Sequence, residues 1–370
     1  MKPIHYKKLL LPFIKQRTRA VVNPFAPPIE KKLKIAENKI SIYTFNEDGI
    51  KFQSTETAEE CLNYKNADST TWINVDGLSR EKVEKLSEAY GIHYLIQEDI
   101  LSYGQRPKMD DVENIVYVLL NMLYFNPITS GIEQEQISIA LTNQLVISFQ
   151  EDAHRDVFDP IREKLKIGSH RIRQRGADYL FYSLLDMIVD SYFQVIEKLG
   201  EKIEVVEENL LLKTDRNSFQ TINQLRKEII LLKRNTAPVR DLVAGLLRSE
   251  SPFLDERTTK YFKDVYDHIV QANELTENYR DMVMSLQDLY LNSVNLRMNE
   301  VMKTMAIVTT IMAPATVIGG IFGMNFDVIP YQHMQWGFYA TVFAMIAIPS
   351  GMIFWFKKRG WFNNNLSEIE

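Results

Sequence analysis

A chain of 370 residues, 45% hydrophobic and 25% charged, has ordinary globular averages and room for two or three domains on the usual prior of about 150 residues each. Its net charge of −5 excludes a general nucleic-acid binder, which would carry a basic surface. A single cysteine, Cys61, excludes an internal disulfide framework and a Cys-rich metal site. The averages conceal a division, because charge is concentrated upstream of Lys303. No charged residue occurs from Thr304 to Phe326, and after Asp327 none occurs from Val328 to Phe356. Either stretch exceeds the roughly 20 apolar residues that cross a bilayer.

In chain order, residues 1–35 are expected to be an irregular segment broken by Pro24, Pro27 and Pro28. The apolar run Leu9 to Ile14 is too short for a secretory signal, so this end is expected in the cytosol. Residues 36–155 are expected to form a cytosolic α/β domain. Its strands are Ile40 to Phe45, Thr70 to Val75, Glu113 to Leu123, and the hairpin Ile137 to Leu141 with Leu145 to Phe149. Its helix is capped by Ser79 and ended at Gly91 after Tyr90. No Gly-rich phosphate loop is present there.

Residues 156–303 carry a helical period and are expected to form a stalk domain of long helices, interrupted at Pro160, Pro238 and Pro252. The first runs from Tyr179 to Leu212, with an acidic face at Glu197, Glu201, Glu204, Glu207 and Glu208. The second runs from Gln220 to Lys233. The third, from Lys260 to Lys303, contains neither Gly nor Pro and is expected to continue unbroken into the first span.

The predicted membrane part comprises a first span, 304–326, an external loop, 327–335, a second span, 336–356, and a basic tail, 357–370. Lys303 precedes the first span, Lys357, Lys358 and Arg359 follow the second, and the loop has no Lys or Arg. The positive-inside rule then puts both termini in the cytoplasm. Asn299, Met302, Ala306, Thr309, Ala313, Thr316 and Gly320 share one helical face, which is small, weakly polar or thioether. The face holding Val301, Met305, Val308, Met312 and Ile318 is mostly aliphatic and suits lipid or the second span. The small face has two readings: close helix packing, helped by the Gly319 and Gly323 spacing, or the wall of a pore shared by several subunits. Neither span contains an acid, so a carboxylate cage for a stripped cation is not expected. Neutral oxygens on Asn325, Asn299, Thr309 and Thr316 suit Mg²⁺, which dehydrates reluctantly. No Cys or His lies in a span to select a softer ion.

Asn299-Glu300-Val301-Met302-Lys303, Pro314, Phe322-Gly323-Met324-Asn325-Phe326, Trp336-Gly337 and Lys357-Lys358-Arg359 together resemble the CorA-type magnesium transporters. Glu98-Asp99-Ile100, Gln105-Arg106-Pro107-Lys108, Ala177-Asp178-Tyr179-Leu180 and the stretch from Tyr261 to His268 extend the resemblance over nearly the whole chain beyond residue 35. It implies an α+β membrane protein assembled as a homopentameric funnel in a bacterial or archaeal inner membrane. In that arrangement the first span lines the pore and Gly323-Met324-Asn325 rings the outer mouth, holding hydrated Mg²⁺. Asn299 and Met302 lie in the inner constriction. Asp99 and Asp264 bind regulatory Mg²⁺ between neighbouring subunits. Each of these two has the plain alternative of a solvated surface carboxylate. The loop departs from the family in having one acid, Asp327, where a second often follows the proline; here Tyr331-Gln332-His333 stands there.

The implied function is passive, channel-like Mg²⁺ entry gated by cytosolic Mg²⁺, with the lipid bilayer, divalent ions and further copies of the chain as partners. No organic cofactor and no nucleic acid are expected. One alternative is a Co²⁺, Ni²⁺ or Zn²⁺ transporter of the same architecture, against which Met324 counts. Another is a membrane-anchored coiled-coil sensor without transport. An enzyme is not expected: there is no His-Glu-x-x-His, no Walker A and no Gly-x-Ser-x-Gly.

Overall fold

The computed structural model describes residues 39–64, 69–112, 114–127, 129, 131–152, 156–167, 171–212, 216–325 and 334–361. The chain divides into two compact units. One comprises residues up to Glu207 together with Gln220–Met284; the other comprises Glu208–Phe219 and the residues from Ser285 on.

The first unit is built on a seven-stranded sheet of β1 (Lys39–Phe45), β2 (Ile50–Thr55), β3 (Thr70–Asp76), β4 (Lys108–Val112), β5 (Ile115–Asn126), β6 (Gly131–Leu141) and β7 (Leu145–Gln150). The order is β2-β1-β3-β7-β6-β5-β4. Two antiparallel meanders meet at one parallel pair, β3 with β7, where Trp72 stands opposite Val146 and Val75 opposite Phe149. Both central strands are buried along their whole length, although Thr70, Thr71, Asn74, Asp76, Ser148 and Gln150 stand among their apolar residues.

One face carries Ile40, Ile42, Ile73, Val75, Ile147 and Phe149. It is covered by α1 (Arg80–Tyr90) and α2 (Tyr94–Leu101), which bury Val83, Leu86, Ile96 and Ile100. Ser79 accepts the Lys82 N–H at 3.3 Å, and Gly91, at φ 73°, closes α1 in the left-handed conformation that a side chain would strain. The other face is polar at the ends of β3 and β7. There the Trp72 indole N–H donates to Ser148 at 2.9 Å, Ser148 to Asn74 at 2.6 Å, and Asn74 to Asp76 at 2.9 Å.

The remaining helices are α3 (Asp159–Lys166), α4 (Arg171–Arg175), α5 (Ala177–Leu212), α6 (Arg216–Arg248), α7 (Glu256–Phe322) and α8 (Gly337–Lys358). The unbroken run of α7 from the polar region into the first apolar stretch agrees with its lack of Gly and Pro before Lys303. The second stalk helix is much longer than Gln220 to Lys233, and Pro238 does not interrupt it. A mid-helix proline removes one hydrogen bond. In α6 burial of Val239, Val243 and Leu246 beyond it, and of Ile229 and Leu232 before it, outweighs that loss. Asn235 anchors the same turn, accepting from Asn121 at 2.8 Å and donating to Gln134 at 3.2 Å.

Glu135 on β6 is 4% exposed, and its Oε1 accepts the Asp152 N–H at 2.8 Å. Burial pushes its carboxyl up to about 8. A raised carboxyl favours the folded state while it keeps its proton. Stability should therefore fall as pH rises from the ordinary carboxylate range towards about 8, and be flat above that. Thermal melts of Glu135→Gln against pH should lose this slope; an unchanged slope would place its origin elsewhere.

Candidate functional site

The second unit contains the apolar part of α7 and the whole of α8, both long and apolar enough to cross a membrane. Their sides are not equivalent. On α7, Ile307 is buried and Ile311, Pro314, Ala315 and Ile318 are half-buried. On α8, Thr341, Ala344, Met345, Met352 and Phe356 form the corresponding covered stripe. A Cβ added at Gly319 would lie 3.5 Å from Met345 Cε, so this glycine sits against α8. Of the face expected to suit lipid or the second span, Val301, Met305, Val308 and Met312 are exposed and Ile318 is half-buried; α8 covers the side through Ile307 and Ile318.

Asn299, Met302, Ala306, Thr309, Ala313, Thr316 and Gly320 are all exposed, on the side of α7 turned away from that covered stripe. A Cβ at Gly320 would meet nothing within 4 Å. The Thr309 hydroxyl donates to the Met305 carbonyl at 2.8 Å and Thr316 to Met312 at 3.0 Å. Each hydroxyl proton is thus spent on the helix, and the oxygen lone pairs remain as acceptors. Acceptors are what the outward-pointing protons of a hydrated cation's water shell require.

Helix α7 winds down at the tripeptide. The Gly323 N–H donates to Gly319 O at 3.0 Å and Met324 to Ile321 O at 3.3 Å, and Asn325 follows outside the helix. A Cβ at Gly323 would come within 3.2 Å of the Gly319 carbonyl, closer than a side chain comfortably sits. Gly323, Met324 and Asn325 are all exposed. Asp327 and His333 lie outside the described residues.

In the first unit the two expected regulatory acids differ in setting. Asp99, near the end of α2, is paired with Lys108 of β4, and its side chain is only 16% exposed. It is not the freely solvated carboxylate of the plain alternative; Lys108 also reaches Asp110 at 3.0 Å. Asp264 is exposed on α7 and faces a group that sequence reasoning did not single out. Asp186 and Asp190 on α5 and His268 on α7 bring one ligand atom each within 4.8 Å of one another. The i,i+4 spacings of Asp186 with Asp190 and of Asp264 with His268 were the available signal, but only the structure sets the two helices side by side. Burial pushes the Asp186 carboxyl up and the Asp190 carboxylate adds to the rise; burial, opposed by His268, also raises Asp190, and Asp264 raises both. Asp186 Oδ1 and His268 Nδ1 have no hydrogen-bond partner among the described residues. Two carboxylate oxygens and an imidazole nitrogen at this spacing form a set that can take a divalent cation.

A long helix ending in an uncovered small-and-hydroxyl stripe, a glycine turn, a second apolar helix and a cation-ready acidic cluster define a membrane transport protein of the two-span metal-ion type. Residues 67–358 match the model of the CorA-like Mg²⁺ transporter proteins, and the chain belongs to that family. It is 38% identical over 324 residues to the cobalt/magnesium transport protein CorA of Thermotoga maritima, covering 87% of this chain and 92% of that one. The zinc transport protein ZntB of Yersinia pseudotuberculosis is 22% identical over 323 residues, covering 87% and 96%. The fold matches that of the CorA magnesium transporter from Methanocaldococcus jannaschii with a TM-score of 0.72, at 24% identity over 87% of this chain and 98% of that chain.

Because Asp186 and Asp190 are raised, their ionisation destabilises the cation-free protein as pH rises through their folded-state values. A bound divalent cation removes that cost. The thermal shift produced by Mg²⁺ over a chelator should therefore grow with pH, and Asp186→Asn should reduce it; a shift that neither pH nor the substitution changes would remove the cluster from cation binding.

Proposed function

We propose that the protein carries Mg²⁺ across a cell membrane by a passive, channel-like route formed by several copies of the chain. The observation that carries this is the uncovered stripe of α7 from Asn299 to Gly320, which ends at Gly323-Met324-Asn325. Two spans cannot enclose a hydrophilic path, so the stripe needs other copies to face. A ring of five is what the family resemblance implies. Asn325 offers its side-chain carbonyl oxygen at the mouth and the back-bonded Thr309 and Thr316 offer theirs along the wall. These groups accept hydrogen bonds from a cation that keeps its inner waters, and so offset its confinement without a carboxylate to trap it. The driving force is the membrane potential, about 2.3 kcal/mol per charge per 100 mV.

Both termini are assigned to the cytoplasm, on Lys303 before α7 enters the membrane and Lys357, Lys358 and Arg359 where α8 leaves it. The gate is assigned to the cytosolic acids. Asp99 and Asp264 face across a boundary between copies, with Asp186, Asp190 and His268 behind Asp264. Charge repulsion at that boundary favours separation, and a bridging divalent cation favours the closed, symmetric arrangement. Lys108 competes for Asp99, so the gate senses the difference between one cation partner and another.

Mg²⁺ is preferred over Zn²⁺ because Met324 is kept in the tripeptide and the pore face offers no Cys or His. Flux of each metal into vesicles containing the purified chain should be greatest for Mg²⁺; Zn²⁺ flux without Mg²⁺ flux would reverse the choice. Asn325→Ala should abolish Mg²⁺ uptake with assembly intact, and normal uptake in that variant would remove the tripeptide from the pore mouth.

The double variant Asp99→Ala with Asp264→Ala should shift inhibition by internal Mg²⁺ to concentrations at least about tenfold higher, the loss of roughly 1.4 kcal/mol of coupling. An unchanged inhibition curve would take both residues out of the sensor.

A further inference from the structure

Aromatic residues mark both ends of α8, but cations mark only one. Trp336, Phe338 and Tyr339 at its start have no Lys or Arg beside them, whereas Lys357 and Lys358 close the helix and Arg359 follows. All three cations are exposed, and none has a carboxylate partner among the described residues. The backbone there is folded back. Gly360, at φ 73°, lets its N–H donate to Lys357 O and the Trp361 N–H to Phe356 O, each at 3.1 Å. This lays the Trp361 ring 4.9 Å from that of buried Phe356. The Arg359 guanidinium lies 5.0 Å from the centre of the Trp355 ring. Trp355, about half-exposed, thus lies against the guanidinium, and Trp361, similarly exposed, packs on Phe356.

Helix α7 adds to the same level. Gly319 lies against Met345. At 1.5 Å per residue an antiparallel pairing from there brings Ile307 level with Phe356, and both are buried. Lys303, one turn before Ile307, thus stands level with the end of α8. Among the described residues of this neighbourhood Glu300 is the one acid, and Arg297 stands one turn beyond it.

We propose that this end of α8 holds the headgroup of a net-anionic phospholipid. The inference rests on α8 as a membrane span. Lys357, Lys358 and Arg359 take the phosphodiester, with Lys303 adding to the field. Trp355 and Trp361 lie in the glycerol-ester layer, where an apolar ring with one N–H donor is best placed. A zwitterionic lipid presents the same phosphate but brings its own cation, so the site selects net negative charge.

The test uses the full chain carrying Trp336→Phe, which removes the indole at the other end, in vesicles containing brominated phosphatidylglycerol or brominated phosphatidylcholine. Quenching of tryptophan fluorescence reads which lipid sits at Trp355 and Trp361. Brominated phosphatidylglycerol should quench at lower mole fraction, by about fivefold for each cation engaged. Lys357→Gln with Lys358→Gln and Arg359→Gln should abolish the preference while quenching by brominated phosphatidylcholine stays unchanged. In the Trp336→Phe protein the preference should fall with added salt and be unaffected by dissolved glycerol phosphate. Equal quenching by the two lipids in inserted protein, a preference indifferent to salt, or relief by glycerol phosphate would overturn the proposal. None of these outcomes depends on Mg²⁺ flux, so failure here is separable from failure of the transport assignment, and absence of quenching by either lipid would instead count against α8 as a span.

Discussion

A threonine hydroxyl on a helix in hydrocarbon has to place its proton, and in α7 it does so on the carbonyl four residues back. Thr309 and Thr316 make this bond, and Thr304 and Thr310 repeat it at 2.9 and 2.7 Å. The bond lets an apolar helix carry hydroxyls without orphaned donors, which a membrane interior penalises by several kcal/mol per group. It also fixes the polarity of what remains, because every oxygen then presents acceptors only. A wall of acceptors discriminates by hydration, not by direct ligation, and it favours the ion least willing to shed water. The absence of carboxylates from both apolar stretches follows from the same requirement: a charge there would bind too tightly for passage and cost too much unoccupied.

The first unit carries the opposite chemistry. Burial raises the proton affinity of Asp186 and Asp190, and the charge of Asp264 adds to the rise at both. A divalent cation bound there would offset the desolvation and repulsion that the two carboxylates carry. Asp99 has a lysine partner within its own chain and does not carry the same burden.

Most of the sheet was legible because β5 is almost wholly apolar, β3 carries Trp72, Ile73 and Val75, and β7 carries Leu145, Val146, Ile147 and Phe149. What escaped was the periphery. β2, Ile-Lys-Phe-Gln-Ser-Thr, and β4, Lys-Met-Asp-Asp-Val, are the two edge strands, and an edge strand spends much of its surface on water. α2 was hidden by its apolar composition, since Tyr94 and Leu95 at its start are exposed while Ile96 and Ile100 face the core. Pro238 misled for the converse reason. A local breaker was read as a boundary, although the buried residues on either side of it hold the helix together. The uncovered stripe of α7 could be written down from spacing alone, because a helix of known pitch fixes which residues share a side. The Asp186–Asp190–His268 cluster could not, because its two halves lie about eighty residues apart and meet only through the packing of α5 on α7.

The side of α7 that is covered explains why the other side can be spared for solvent. Ile307, Ile311, Pro314 and Ile318 give the helix an aliphatic seam, and α8 supplies its counterpart through Met345 and Phe356. Pro314 belongs to this seam. Its missing N–H leaves the Thr310 carbonyl without its usual backbone donor. In an apolar stretch that unpaired carbonyl is tolerable only where a neighbouring element or water can reach it. The weakest turn of the span therefore lies between the packed seam and the hydroxyl-bearing stripe, four residues beyond Thr310, which already uses its own hydroxyl on Ala306. A helix of 67 residues that is otherwise unbroken has little other freedom to deform inside the membrane. Any bend of α7 between Thr309 and Thr316 is then concentrated at this turn, because bending there breaks no further backbone hydrogen bond.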